Sequence, residues 1–181
     1  MTAGIAAIVG TGLIGRSWAL VFARAGWTAR LFDAMPGAAE NAVRWIDAAL
    51  VDDVPDGRQR AIIRGRVSVS PSLEHAVSGA SHIQENAPET LAMKRSILAE
   101  IDRLAAPEAI IASSTSAILP SAFSESLPGR ARVLVAHPVN PPHMVPLVEM
   151  LGSPWTSPDV IARATATMSA IGQSPIRVNR E

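Results

Sequence analysis

Residues 5–33, IAAIVGTGLIGRSWALVFARAGWTARLFD, leave this chain few folds to choose from. IAAIVG is short, apolar and partly β-branched, the composition of a buried strand. In the TGLIGRSWALVFARAGW that follows, Leu13, Trp18, Leu20, Val21 and Phe22 recur at helical spacing, and Gly26 stands where a helix C-cap would. TARLFD then reads as a second strand, ending in Asp33. Strand, tight turn, helix and strand in this space form a βαβ unit, whose two strands run parallel.

Gly10, Gly12 and Gly15 spell G-x-G-x-x-G in the turn of that unit. The first glycine permits the tight turn, the second lets backbone approach a pyrophosphate, and the third lets the helix pack close on the strand. The helix N-terminus then offers the phosphates unpaired amides and the positive end of its dipole. By itself the pattern also fits a tight turn beside a capping aspartate, or a site for another nucleotide such as a flavin. Its position in a βαβ unit, with Asp33 18 residues past Gly15, favours a dinucleotide. Asp33 can accept both hydroxyls of the adenosine ribose and would repel a 2′-phosphate. The stretch DAMPG offers no arginine to hold such a phosphate, so NAD is favoured over NADP.

Strands and helices keep alternating downstream. Pro36 opens a helical stretch through Leu50, with Ala42, Trp45, Ile46 and Ala49 on one face. Residues 51–66 are polar and arginine-rich, and RQRAIIRGR reads as a solvated face. VSVS reads as a short strand, SLEHAVSGA as a small helix, SHIQE as a strand, and PETLAMKRSILAEIDRLA as a helix begun at Pro88. EAIIAS and ARVLVAH read as strands on either side of SSTSAILPSAF, which turns back. MVPLVEML is a further strand, SPDVIARATATMSAI a helix started by Ser157 or Pro158, and SPIRV a last strand. The alternation predicts an α/β fold of Rossmann type, a doubly wound, mostly parallel sheet with helices on both faces. Residues 1–181 are expected to form one dinucleotide-binding domain, with no internal repeat.

Composition narrows the function. Sixteen basic and sixteen acidic residues cancel, so neither nucleic acid nor a membrane surface is expected as a partner. No apolar run approaches the length of a transmembrane helix. The start MTAGIAAIVG lacks a basic region and a cleavage pattern, so it reads as structure and not as a signal peptide. Cysteine is absent, which excludes disulfides, thiolate metal sites and a thiolate nucleophile and is compatible with a cytoplasmic location. No metal is expected. Hydrophobic residues at 48% with aromatics at 4% call for a core of Ala, Val, Ile and Leu.

A dinucleotide needs a reacting partner, and AHPVNPPHMVPLVE, residues 136–149, holds the groups for one. Oxidising a secondary alcohol requires a base for the hydroxyl proton, and histidine suits that role because its pKa lies near neutrality. His137 follows the strand ARVLVA and should project at the carboxyl end of the sheet, where cofactors lie in such folds. The prolines after it call for an extended, rigid loop that returns the chain alongside itself. A strand MVPLVE could then bring the Glu149 carboxylate to the other imidazole nitrogen, fixing the tautomer. On spacing alone, His137 reads equally as a satisfied structural residue beside an asparagine.

The chain resembles the 3-hydroxyacyl-CoA dehydrogenase superfamily, and within it the L-gulonate 3-dehydrogenase (lambda-crystallin) branch. Five ordered blocks carry the likeness: IVGTGLIGRSWALVFARAGW, HIQENAPETLAMKRSILAEID, SSTSAILPS, AHPVNPPHMVPLVEML and IGQSPIRVNRE. The resemblance implies that His137 is the catalytic base and Glu149 its orienting carboxylate. It makes Ser116 a hydrogen-bond partner of the substrate oxygen, and Asn140 a residue that polarises the reacting carbonyl or alcohol. It implies that Glu89 and Lys94, the chain's one lysine, contact NAD near its ribose and nicotinamide end, and that Leu13 and Ile14 lie over the pyrophosphate. Acyl-CoA members usually read HFFNPV, with a lysine before leucine-valine-glutamate. HPVNPP and Pro146 here shift the expected substrate to a small free L-3-hydroxy acid such as gulonate. The carnitine 3-dehydrogenase branch shares much of the pattern. The resemblance also implies a helical domain that closes the substrate pocket and makes most of a homodimer interface. That C-terminal domain is expected to be absent from residues 1–181, which would then be a dissected cofactor domain, one partner of a separate helical polypeptide, or a stub. Without it the chain is expected to bind NAD and turn over weakly or not at all. The other expectation, of a different class, is a nucleotide-binding module with no chemistry.

Overall fold

In the computed structural model β1 (Ile5–Val9), α1 (Leu13–Arg24) and β2 (Thr28–Phe32) form the first βαβ unit, and Asp33 stands one residue past β2. The structure describes residues 4–181, so the first three residues of the start MTAGIAAIVG lie outside it. α1 closes as the sequence predicts. Gly26 takes φ +93, and the amides of Gly26 and Trp27 donate to the carbonyls of Ala23 and Phe22, a Schellman end that turns the chain into β2. After β2 come α2 (Ala38–Asp53), α3 (Gly57–Arg64), β3 (Val67–Val69), α4 (Leu73–Val77), β4 (His82–Glu85), α5 (Leu91–Leu104) and β5 (Ile110–Ser113). Then follow α6 (Pro120–Ser124), β6 (Val133–Pro138), β7 (Leu147–Gly152), α7 (Pro158–Ala170) and β8 (Ser174–Arg177), with a 3-10 turn at Arg130–Arg132 before β6.

The eight strands form one sheet in the order β3-β2-β1-β4-β5-β6-β7-β8. The chain leaves β1 toward one edge and returns to β4 on its other side, so the carboxyl ends of β1 and β4 form the switch point where ligands bind in such sheets. Alternation along the strands divides the core. Ala6 and Ile8 face one layer, with Trp18 and Phe22 of α1, Ile46 of α2 and Met168 of α7. Ala7 and Val9 face the other, with Val77 of α4, Leu98 and Ile101 of α5 and Phe123 of α6. These layers are built mainly from small and aliphatic side chains, as composition requires.

Several boundaries differ from the sequence reading: α2 begins at Ala38 rather than Pro36, and β7 at Leu147 rather than Met144. Thr90, not Pro88, starts α5: its hydroxyl accepts from the Met93 amide at 3.4 Å, which a proline ring cannot do. The stretch between β6 and β7 is turned rather than extended, with the amides of Met144 and Val145 both donating to the Pro141 carbonyl. As a chain that returns alongside itself requires, β7 runs antiparallel to β6. That reversal decides the geometry of the site.

Candidate active site

At the switch point the three glycines are not equivalent. Gly10 sits at φ +83, and a Cβ there would lie 2.8 Å from the Asn86 backbone. A Cβ on Gly15 would fall 1.9 Å from the Gly10 carbonyl oxygen, so only glycine lets α1 start this close to the turn. A Cβ on Gly12 would meet nothing within 4 Å, so the space before the helix is open. Among the described residues no side chain caps this helix end. Its free amides, the half-exposed Leu13 and the partly buried Ile14 therefore border a gap fit for a pyrophosphate.

Beside that gap lies a cavity of about 480 Å³ lined by Thr11, Gly12, Leu13, Arg16, Asp33, Met35 and neighbouring residues of α2. The Asp33 carboxylate is fixed within it. Oδ2 accepts from the Thr11 amide at 2.7 Å and its hydroxyl at 2.9 Å, and Oδ1 accepts from the Met35 amide at 3.0 Å. Thr11, one of the unspecified letters of the glycine motif, is a site residue that the pattern does not reveal. Open turn, bare helix end and anchored carboxylate together fit the phosphate and ribose groups of a dinucleotide.

His137 and Glu149 are direct partners in the antiparallel β6–β7 pair. Their side chains meet with Nδ1 2.9 Å from Oε2, the ring about a quarter exposed and the carboxylate about half. A cleft of about 200 Å³ opens over them, bounded by the turn 115–119 and by Val135, Leu151 and Val178. Ser116 lines the same cleft and is exposed. Asn140 does not line it. Asn140 lies two residues beyond β6, exposed, in a cis peptide with Pro141.

Glu89 and Lys94 behave differently from one another. Oε1 of Glu89 accepts from the Thr115 hydroxyl, from the Ser116 amide at 2.9 Å and from the Ala117 amide at 3.2 Å, holding the turn that carries Ser116. Burial works to raise the Glu89 pKa. The hydrogen bonds from Thr115, Ala117 and Ser116 and the Lys94 charge outweigh it and hold the carboxyl below its ordinary value. Lys94 is 1% exposed. Its ammonium donates to both oxygens of the fully buried Glu85, at 2.9 and 3.0 Å, and to the Ala87 carbonyl at 2.9 Å. The same ammonium lies 3.7 Å from Oε2 of Glu89, which joins the buried cluster to the turn that carries Ser116. Glu85 also accepts from the Ser113 hydroxyl at 2.6 Å and the Ala87 amide at 2.6 Å. It is the centre of the cluster and, like Thr11, was not singled out by the sequence.

The family model for the 3-hydroxyacyl-CoA dehydrogenase NAD-binding domain matches residues 5–181. The chain belongs to that family. This NAD-binding domain is similar to the lambda-crystallin homolog of Bos taurus, 41% identical over 98% of the chain and 57% of the relative. It is 38% identical to the L-carnitine dehydrogenase/betainyl-CoA thioesterase of Rhizobium meliloti (strain 1021), over 97% of the chain and 36% of the relative. Among solved structures, the (S)-3-hydroxybutyryl-CoA dehydrogenase of Ralstonia eutropha superposes with a TM-score of 0.94 at 25% identity, over 99% of this domain and 65% of that chain. The domain thus spans a little over half the length of its lambda-crystallin relative. Among the described residues, no helix is long and apolar enough to cross a membrane and no cluster of ligands could hold a metal ion.

Beneath the site, the NAD-binding domain carries a buried polar chain. Gln84 donates to the Ser114 hydroxyl at 2.8 Å and to the Ala136 carbonyl, next to His137, at 3.3 Å. His82 Nε2 lies 3.0 Å from Gln84 Oε1, and burial pushes the His82 pKa down to about 4, so this imidazole is neutral at pH 7. On the cofactor side, His143 Nδ1 lies 3.1 Å from the Ser17 hydroxyl, and its ring meets Trp45 edge-on at 5.1 Å. These contacts tie the 139–146 loop to α1 and α2. Burial, then the nearby arginines, lowers the His143 pKa, which keeps the tie uncharged near neutrality.

Proposed function

We propose that the chain is the cofactor-binding and proton-abstracting half of an NAD-dependent dehydrogenase that oxidises the 3-hydroxyl of a small L-3-hydroxy acid, L-gulonate or a close analogue. The observation that carries this reading is the 2.9 Å contact of His137 Nδ1 with Glu149, beside a cleft that Ser116 also lines. With Nδ1–H directed to the carboxylate, Nε2 keeps its lone pair and can take the hydroxyl proton. The Glu149 charge then stabilises the imidazolium that results. Ser116 donates to the substrate oxygen, and Glu89 positions Ser116 through its backbone amide. Asn140 reaches the substrate only as part of a cleft completed by further structure. Gly10, Gly12, Gly15, Leu13, Ile14 and Asp33 hold the dinucleotide, with Glu89 at its nicotinamide-ribose end. The carbinol carbon would lose its hydride to bound NAD, which would supply the two-electron acceptor, as the ketone forms.

The identity to a lambda-crystallin homolog supports a free hydroxy acid over an acyl-CoA, as does Pro146 before the Leu147–Glu149 stretch. The 38% identity to an L-carnitine dehydrogenase supports carnitine as the second reading. An open cleft of about 200 Å³ does not exclude water, so turnover by this chain alone is expected to be weak or absent, with a helical domain and a homodimer completing the enzyme. The test measures NADH formation from gulonate, carnitine, 3-hydroxybutyrate and 3-hydroxybutyryl-CoA. The chain is used at substrate-level concentration, alone and with the helical domain of a lambda-crystallin relative added in trans, with His137→Ala as control. Gulonate-dependent NADH that grows with the added domain and vanishes in His137→Ala supports the proposal. NAD binding with no oxidation of any substrate in either arm favours a non-catalytic module.

A further inference from the structure

The stretch after Asp33 has no arginine, but α1 brings one to the same cavity. Arg16 lines it together with Thr11, Asp33 and Asn41. Its guanidinium carbon stands 4.4 Å from the centroid of the Trp45 ring. Stacking on an aromatic face fixes a guanidinium without consuming its N–H donors. Among the described residues no carboxylate pairs with Arg16, and its buried Nε has no hydrogen-bond partner. Buried donors are seldom left unfilled, and a planar guanidinium matches phosphate oxygens better than any other side chain does.

We propose that Arg16 is a cofactor-selectivity residue, a latent partner for a phosphate on the adenosine 2′-oxygen that the Asp33 carboxylate keeps from acting. NAD is then preferred over NADP through a balance of two opposed charges in one cavity. This rests on reading Asp33 as the ribose ligand. Asp33 is fixed by three hydrogen bonds, two of them from Thr11, so it cannot swing away to admit a phosphate. Asparagine at this position keeps an acceptor oxygen for Thr11 and removes the repulsion. The Arg16 guanidinium, already held on Trp45, would then meet the phosphate at little further ordering cost.

The test titrates NADH and NADPH by calorimetry into the wild type, Asp33→Asn, Asp33→Asn/Arg16→Gln and Asp33→Asn/Arg16→Met. Methionine retains an apolar stem over Trp45 if glutamine unsettles the fold. Asp33→Asn should tighten NADPH binding about tenfold or more, the worth of one charge-assisted hydrogen bond. Either Arg16 substitution should abolish that gain while changing NADH affinity far less. A gain that survives both substitutions overturns the proposal and leaves Arg16 as a packing residue on Trp45. Weakened NADH binding with no NADPH gain in Asp33→Asn also overturns it, and leaves the ribose reading intact. No change for either nucleotide in Asp33→Asn removes the ribose reading, and the proposal with it.

Discussion

His137 and Glu149 sit opposite one another in the antiparallel register of β6 and β7, and their side chains meet at 2.9 Å across the strand pair. Cross-strand partners share a face of the sheet, so the contact follows from register and does not depend on the loop that joins them. Glu149→Gln replaces the acceptor with an amide that can donate to Nδ1 and drive the ring proton to Nε2. The expected outcome is an inverted tautomer in long-range nitrogen NMR of the neutral ring, and loss of any NADH formation by about a hundredfold. Stability should fall by about 1 kcal/mol or less, because the pair is partly exposed.

Gly12 and Gly15 should respond to alanine in opposite ways. Gly15→Ala sets a Cβ 1.9 Å from the Gly10 carbonyl, and α1 must shift, at about 1–3 kcal/mol in urea unfolding. Gly12→Ala enters open space at an ordinary φ of −62, so unfolding should hardly change. Its methyl group enters the gap proposed for the pyrophosphate. NAD affinity should drop about tenfold or more, as read by calorimetry.

Lys94→Met tests the buried cluster. It leaves the Glu85 carboxylate, fully buried, without its cation, and removing one partner of such a pair costs about 3–5 kcal/mol. Glu85→Gln in the same chain should recover much of that loss in denaturant melts. A Lys94→Met variant as stable as wild type but weak in NAD binding would favour a direct cofactor role for the lysine.

His82 gives a pH dependence with a definite sign. Its folded pKa of about 4 lies below the unfolded value near 6.5, so the unfolded chain binds the extra proton between those values. Above pH 6.5 His82 costs nothing. As pH falls from 6.5 toward 4 it lowers stability by an amount approaching about 3 kcal/mol. His82→Gln should show a shallower loss over that window in unfolding measured at closely spaced pH values, whereas equal slopes would mean that the ring finds a partner when protonated.

Much of this was legible in the chain. Continuous apolar runs such as IAAIV and EAIIAS mark buried parallel strands, and Gly26 marks the end of α1, because each of those signals is local. The pairing of His137 with Glu149 could be read only as possible, since the strand reversal that sets it depends on packing beyond the stretch itself. The ion pair of Lys94 with Glu85 was not legible, because Glu85 lies at the end of β4 nine residues earlier and comes near only in the fold. Arg16 carries no local signal of this kind, because it lies in α1, 17 residues before Asp33. The cavity that joins them is formed by α1, β2 and α2 together.

An imidazole waiting beside the reacting ring of NAD is the arrangement on which the proposed chemistry stands. Nuclear Overhauser contacts of the nicotinamide C4 proton in the complex of NAD with this chain test it without any need for turnover. A contact to the His137 ring is expected, with the adenosine protons near Asp33 and Met35. NAD bound with its C4 proton in contact elsewhere and none to His137 would contradict it.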